Sequence, residues 1–347
     1  ADESAAAGHH VSAREAYLRA ATYHWTGAQP MLDPERLTEL RAARSRAAEL
    51  TGKVASLSDT PFEVVEIPFG QHSLPGYFVP ADGMAGQRRP TVVYTNGYDS
   101  SAEEMYANHA AAATSRGYHI LLVDGPGQGR PLARDGLTIR PDWENVVGPV
   151  LDWVLARPDV DTGRVVLAGW SLGGFLAPRA AAFESQRIAA LVADPGQWDQ
   201  RPGIVTLLPL SEEQKAAFPD IDPQALDPMV QWLNSPAADP GLRWKLLQRA
   251  PAVHGRSSLL ECLAELSRFE ISSVAANITC PTLLTAAEGD PVAAGAQKLY
   301  DAIGSKRKTL LRFTDAEGSG GHCEGTARRL YHQRVYDWLD DTLAVAR

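Results

Sequence analysis

The hexapeptide GWSLGG, residues 169–174, lies between an apolar run, RVVLA, and a run of mostly small residues, FLAPRAAAF. The first run is typical of a buried strand and the second of a helix. Glycines on both sides allow strand and helix to approach closely, and a serine on such a turn exposes its hydroxyl. A serine that merely caps the helix is the alternative, but the strand–turn–helix context favours Ser171 as a nucleophile.

Apolar strand patterns alternate with helical patterns on both sides of this turn. Such alternation predicts an α/β protein with a mostly parallel sheet and helices on both faces. The alternation stops over 199–275, where helical patterns are broken by proline and glycine, and we interpret this stretch as an inserted helical lid. A helical N-terminal segment covers 1–60, so that 61–198 and 276–347 form the core.

Two further residues complete a candidate triad. On a strand–turn–helix nucleophile of this kind, the chain order is serine, acid, histidine. Asp290 ends LLTAAEGD after the strand that follows the insertion, and it fits the turn position better than Glu288. His322 is the only histidine of the loop AEGSGGHCEG. Taken singly, Asp290 is a helix cap and His322 a solvated loop residue, but their order favours a triad with Ser171.

An oxyanion formed at the attacked carbonyl needs preorganised N–H donors. We expect one donor to be the amide of Leu172, which follows the nucleophile. The second is expected in TNGYDSS, after the first parallel strand, where the amide of Tyr98 is preferred and that of Gly97 is the near alternative. The glycines of DGPGQGRP do not have dinucleotide-binding spacing, and no ligand cluster indicates a metal, so neither a cofactor nor a metal is expected.

Composition limits the partners and the compartment. The chain has 347 residues, 44% of them hydrophobic, with a net charge of −9 and no basic cluster longer than SKRK, so nucleic acid is not expected. No apolar run reaches the roughly 18 residues of a membrane helix. Three cysteines at no metal-like spacing and an N-terminus without a signal-peptide pattern favour a cytoplasmic protein. A small-molecule substrate is expected, and a homodimer is left open.

The order of NGYD, DGPGQG, GWSLGG, AAEGD and GGHCEG resembles that of the α/β-hydrolase superfamily over roughly residues 60–345. HWTG, SLGGFLAPRAAAFE and the C-terminal LYHQRVYDWLDD are similar to one branch in particular. That branch contains 2,6-dihydroxypseudooxynicotine hydrolases, fungal polyketide-shortening hydrolases and fermentation–respiration switch-like proteins, and several members cleave a carbon–carbon bond next to a carbonyl. The resemblance implies the α/β-hydrolase fold and a triad of Ser171, Asp290 and His322.

One departure from the pattern of this branch concerns the pocket. After IAALV the chain carries Asp194, where the relatives tend to have an aromatic or small apolar residue. Asp194 and Asp199 are therefore candidates for an extra acid/base group. The alternative is that Asp194 caps a turn before Pro195.

These observations predict a serine hydrolase that acts on a carbonyl compound, by carbon–carbon (β-dicarbonyl) or ester hydrolysis of an aromatic or polyketide-like small molecule. An esterase or peptidase, a cyclase or lyase on a biosynthetic intermediate, and a non-catalytic binding protein are the alternatives. The candidate substrate-binding side chains are tryptophans, which could instead only pack helices together: Trp170, Trp198, Trp232 and Trp244.

Overall fold

The computed structural model describes residues 1–345, apart from the side chain of Leu207. Its strands form one open sheet in the order β1-β2-β4-β3-β5-β6-β7-β8. β2 pairs antiparallel with β1 and β4, and all the other pairs are parallel, so the predicted mostly parallel sheet is confirmed. The strands are β1 (Glu63–Phe69), β2 (His72–Val79), β3 (Arg89–Thr95), β4 (His119–Val123), β5 (Val160–Trp170), β6 (Ala190–Asp194), β7 (Thr282–Ala287) and β8 (Lys308–Phe313).

Helices connect the strands and form two further groups, one before β1 and one between β6 and β7. Within residues 1–345, no helix combines the length and the hydropathy needed to cross a membrane. The α-helices are α1 (Asp2–Ala6), α2 (His10–Ala28), α3 (Leu37–Leu57), α4 (Ala102–Met105), α5 (Ala111–Thr114), α6 (Gly129–Asp135), α7 (Glu144–Leu155), α8 (Gly173–Glu184), α9 (Arg201–Leu207), α10 (Glu212–Ala217), α11 (Asp227–Leu233), α12 (Pro240–Trp244), α13 (Ala250–His254), α14 (Leu259–Leu266), α15 (Ala296–Ala302) and α16 (Arg328–Leu343). The short 3-10 turns are Gln29–Met31, Pro34–Arg36, Pro223–Leu226, Ala275–Asn277, Pro291–Gly295, Asp315–Glu317 and His322–Glu324.

Two helices contain a π-helical turn. One turn, Tyr106–Ala110, joins α4 to α5, and the other, Lys245–Arg249, joins α12 to α13. Turns of this kind are rare and are frequently found at functional sites.

The sheet is covered on both faces, as predicted. Val92 and Val166 are paired across β3 and β5 and belong to a core completed by α2 and α16. Their neighbours Val93 and Leu167 face the opposite core, which contains α7 and α8. Because successive side chains of a strand point to opposite faces, two buried faces require the continuous apolar strands seen in the sequence.

The helices between β6 and β7 have an apolar core of their own. Leu208, Phe218 and Leu233 are buried there together with residues of α14. These helices begin at Arg201 and end at Leu266, inside the range predicted for the lid. At the N-terminus α2 packs against α3, and the turn between them brings Gln29 to the cavity described below.

Candidate active site

Ser171 lies on the sharp turn between β5 and α8. Its φ of 56° is in the left-handed region, which costs a non-glycine residue on the order of 1 kcal/mol or more. The turn is held by hydrogen bonds: the amide of Ser171 donates to the carbonyl of Asp194 at 2.7 Å, and that of Gly174 donates to the carbonyl of Ser171 at 2.8 Å. Strain supported in this way is typical of a serine whose side chain is presented to a site.

The flanking glycines are required by close approach. A Cβ on Gly169 would lie 1.9 Å from the carbonyl oxygen of Gly173, and one on Gly174 would lie 1.9 Å from that of Pro195. Neither position can hold a larger residue without moving backbone. The glycines of the motif are therefore required because the strand, the turn and the helix pack tightly around the serine.

Three side chains predicted from the sequence come together above this turn. Ser171 Oγ lies 2.8 Å from His322 Nε2, and His322 Nδ1 lies 3.0 Å from Asp290 Oδ2 and 3.1 Å from Oδ1. Asp290 is further fixed by hydrogen bonds from the amides of Val292, at 3.0 Å, and Cys323, at 3.4 Å. The helix-cap interpretation of Asp290 is thus also correct, because one carboxylate serves the turn and the histidine together.

The electrostatics of this chain of groups favour a basic imidazole. The hydrogen bond to Asp290 raises the pKa of His322, against the opposing effect of burial. Burial opposes ionisation of Asp290, but its hydrogen bond and charge interaction with His322, together with the amides of Val292 and Cys323, outweigh this effect and leave the pKa of the carboxyl below its usual value. The carboxylate therefore stays charged and holds the Nδ1–H tautomer, which leaves Nε2 free to accept a proton.

Backbone donors suited to an oxyanion lie beside the serine. Among residues 1–345 the structure gives neither the amide of Tyr98 nor that of Leu172 a hydrogen-bond acceptor. Gly97 packs directly on the nucleophile, since a Cβ there would lie 3.0 Å from the Cβ of Ser171. All three predicted oxyanion residues line the same cavity as Ser171.

This catalytic cavity has a volume of about 780 Å³. Of the four predicted tryptophans, Trp170 and Trp244 line it, together with the three triad residues. Trp198 and Trp232 line instead an adjoining cavity of about 840 Å³. The tryptophans therefore divide between two cavities.

The two candidate acid/base residues lie in different places, and the prediction for Asp194 is wrong. Its carboxylate is fully buried beneath the turn, where it accepts from Thr285 Oγ1 at 3.0 Å and pairs with Arg328 Nη1 at 3.3 Å, and it lines neither of these two cavities. Within residues 1–345 the structure gives the carboxylate of Asp194 no backbone amide as donor, so the turn-cap alternative is not supported either. Asp199 lines the adjoining cavity, with Oδ1 accepting from the amide of Arg201 at 2.9 Å.

Sequence reasoning missed the buried network around Asp194. Arg328 also donates to the carbonyl of Cys323 at 2.5 Å and lies 2.9 Å from His109 Nε2, and His109 Nδ1 lies 3.3 Å from His332 Nε2. Burial, reinforced by the charge of Arg328, lowers the pKa values of both histidines, so they are neutral at pH 7. Cys323, Arg328 and His332 are close in the chain, but Asp194 and His109 lie 134 and 219 positions before Arg328, and nothing in the sequence indicates that they meet it.

Glu324 adds a protonated carboxyl beside this network. Burial and the nearby charge of Asp194 raise its pKa far above the usual range, so it holds its proton at neutral pH. Arg328 therefore balances a single negative charge beneath the loop that carries His322.

Two more residues of the cavity wall were also missed. Gln197 donates from Nε2 to the carbonyl of Ser171. Arg249 pairs with Asp99 at 3.2 Å, and its guanidinium lies 4.7 Å from the centre of the Tyr98 ring. Both residues come from chain segments that the sequence marked only as loop or lid.

One group could in principle hold a metal, because ligand atoms of Asp290, His322 and Cys323 lie within 4.8 Å of one another. Burial raises the pKa of the Cys323 thiol and so disfavours the thiolate that metals require. Both ring nitrogens of His322 already face triad partners. The donor set fits a hydrogen-bonded triad better than a metal centre.

Known proteins share this architecture. The chain is 31% identical, over its full length and 85% of the relative, to Hydrolase LUC6 of Fusarium sp. The same figures hold for the 20-hydroxy-prefusarin hydrolase FUS2 of Gibberella moniliformis. The crystal structure of the 2,6-dihydroxy-pseudo-oxynicotine hydrolase has the same fold, with a TM-score of 0.74 at 24% identity, over 99% of this chain and 84% of that one.

These similarities confirm the resemblance predicted from the sequence motifs. The profile described as the alpha/beta hydrolase family matches residues 92–327, which is more than half of the chain. The chain therefore belongs to the alpha/beta hydrolase family and is an enzyme.

Proposed function

We propose that this enzyme is a serine hydrolase of carbonyl compounds, with Ser171 as nucleophile, His322 as base and Asp290 as the carboxylate that orients the imidazole. The observation that carries the proposal is the pair of hydrogen bonds from Ser171 Oγ to His322 Nε2, at 2.8 Å, and from His322 Nδ1 to Asp290, at 3.0 Å. Both distances are within the range for proton transfer and for holding the base.

The geometry supports a two-step reaction. Ser171 Oγ attacks the carbonyl carbon while its proton passes to His322 Nε2, and the amides of Tyr98 and Leu172 bind the resulting oxyanion. Collapse of the tetrahedral intermediate releases the leaving group, which takes the proton from His322. Water, deprotonated by the same nitrogen, then attacks the acyl-enzyme and releases a carboxylic acid.

The bond next to the carbonyl is proposed to be carbon–carbon in a β-dicarbonyl compound, with an ester as the second candidate. Cleavage of a β-dicarbonyl releases an enolate, which needs a proton on carbon. Asp199 lines the adjoining cavity, and we propose that it assists transfer of the proton from His322 to the enolate carbon. A relative named for 20-hydroxy-prefusarin supports an oxygenated organic substrate.

A fluorophosphonate probe tests the nucleophile directly. The native enzyme is expected to gain one covalent adduct, detected as a mass shift and assigned by peptide mapping to Ser171. Ser171→Ala should not be labelled, and His322→Ala should be labelled at least 100-fold more slowly, because triad members act as a unit. Labelling of Ser171→Ala at the native rate would show that the chemistry lies elsewhere, and an unlabelled native enzyme would favour a binding protein.

The leaving group is tested with two substrates, 1-phenylbutane-1,3-dione and p-nitrophenyl butyrate. We expect turnover of both, with Asp199→Asn slowing the diketone by more than tenfold and leaving the ester unchanged. Asp220→Asn is the matched control, because Asp220 is an exposed carboxylate of the same helical region that lines neither cavity. Turnover of the ester alone would assign an esterase, and rearrangement of the diketone without cleavage would assign a lyase or cyclase.

A further inference from the structure

The catalytic cavity and the adjoining cavity share eight lining residues, five of them apolar. The adjoining cavity, of about 840 Å³, is at least as large as the one that contains Ser171. The side chains that line both include Gln197, Gln200, Leu246, Arg249, Leu263 and Leu266. A substrate held at Ser171 can therefore extend past these residues into the second space.

The second space, which we call the tail chamber, is built by the inserted helices. Its walls include Trp232 and three residues that also belong to or pack against the apolar core of those helices, Leu208, Met229 and Leu242. Trp232 is 45% exposed although it belongs to this wall. A large apolar side chain that stays exposed in a concave space is typical of a ligand site, because a side chain that served only packing would be buried.

The charged side chains that line the tail chamber are those of Asp199, Arg249 and Lys298. The guanidinium of Arg249, which lines both cavities, is held by Asp99 at 3.2 Å and by the ring of Tyr98. Lys298 lies with Nζ 4.7 Å from the centre of the Trp198 ring. Because these cations already have partners, they do not call for a charged ligand inside the chamber.

We propose that the tail chamber binds the apolar tail of an elongated carbonyl substrate, whose carbonyl lies at Ser171 and whose chain passes Leu246 and Arg249. This proposal rests on the hydrolase function proposed above and adds the substrate class. The substrate is an amphipathic molecule that is too long to fit in the catalytic cavity alone. Contacts in the tail chamber are remote from the reacting bond, so they act through binding energy.

Two series of esters test the substrate class. In p-nitrophenyl alkanoates the chain lengthens on the acyl side, and in alkyl acetates it lengthens on the leaving side. In one of the two series, kcat/KM should rise by up to about fourfold for each methylene that enters the chamber, and the octyl member should exceed the butyl member by at least tenfold. The proposed role of the tail chamber is overturned if kcat/KM does not rise with chain length in either series. Absence of turnover of both the esters and the diketone would instead refute the hydrolase proposal itself.

Variants that fill or polarise the chamber complete the test. Gly203 lines it, and a Cβ there meets nothing within 4 Å, so Gly203→Trp adds a large side chain without a backbone clash. Met229→Glu adds a charge to the wall by an independent route. Either variant should lower the long-to-short ratio of kcat/KM by at least tenfold.

Gly27→Trp is the matched control, because Gly27 lies in α2, has equally open surroundings and lines neither cavity. Its long-to-short ratio should equal the native one. A native ratio in both Gly203→Trp and Met229→Glu, each folded by circular dichroism, would overturn the proposed chamber function.

Discussion

Replacement of Arg328 by methionine tests the buried network beneath the catalytic turn. Arg328 is the cation that faces the fully buried carboxylate of Asp194, at 3.3 Å. Methionine retains apolar volume but leaves that carboxylate without its cationic partner. Removal of one member of a buried ion pair costs about 3–5 kcal/mol, so Arg328→Met should lower the free energy of unfolding by that amount.

Urea titration followed by tryptophan fluorescence measures the loss, since the chain contains eight tryptophans. Arg268→Met is the matched control: Arg268 forms a 2.7 Å ion pair with Glu265, but its side chain is 62% exposed. Exposed pairs contribute at most about 1 kcal/mol. The two arginine variants should therefore differ severalfold in their effect.

A double variant separates the charge from the packing. Asp194→Asn removes the charge that Arg328 balances, so the combination with Arg328→Met should be less destabilised than the sum of the two single variants, by at least about 1 kcal/mol of coupling. An Arg328→Met variant that loses less than about 1 kcal/mol, or a pair of variants whose losses simply add, would refute the electrostatic interpretation of this network.

Three further predictions concern the triad, the turn and the acid sensitivity. Because Asp290 raises the pKa of His322 above 6.5, kcat/KM for p-nitrophenyl butyrate should rise with pH through a pKa above that value. Asp290→Asn should shift this rise to lower pH and reduce the maximal kcat/KM by about 10⁴-fold. A rise at the same pH in the variant would contradict the role of Asp290. The Cβ of an alanine at position 97 would lie 3.0 Å from the Cβ of Ser171 and would displace the nucleophile. Gly97→Ala should therefore reduce kcat by about tenfold or more, with an unchanged melting temperature. A native kcat in this variant would show that the contact relaxes without moving the serine. Burial lowers the pKa of His332 to about 3. Below pH 6.5 the unfolded chain therefore binds a proton there that the native protein does not, and the free energy of unfolding decreases as the pH falls. In urea titrations, His332→Gln should lose about 2 kcal/mol less of this free energy than the native protein between pH 7 and pH 5, and equal losses would contradict the lowered pKa.

Local patterns predicted the elements that lie on the sheet. β5 and α8 followed from an apolar run, a glycine-rich turn and a run of small residues, and the order of Ser171, Asp290 and His322 followed from the strands that carry them. The predicted elements are confirmed, and the three side chains come together, because a parallel sheet places the carboxyl ends of its strands at one edge and chain order then translates into proximity.

Pairings between distant segments could not be predicted in this way. Asp194 was placed at the pocket because it ends β6, but its carboxylate points below the sheet edge to Arg328, 134 positions later. Whether a strand-end side chain faces the cavity or the interior depends on the direction of a single residue. The same limit applies to Arg249, whose contact with Asp99 depends on how the inserted helices pack on the core.

The π-helical turn at Lys245–Arg249 has a consequence for comparing related chains. A π turn contains one residue more than the α turn it replaces. Loss of a single residue here would rotate Trp244 by about 100° relative to α13 and turn it out of the cavity wall. A one-residue alignment gap at this position therefore marks a reshaped substrate site rather than a neutral length difference, even where every other residue of the wall is identical.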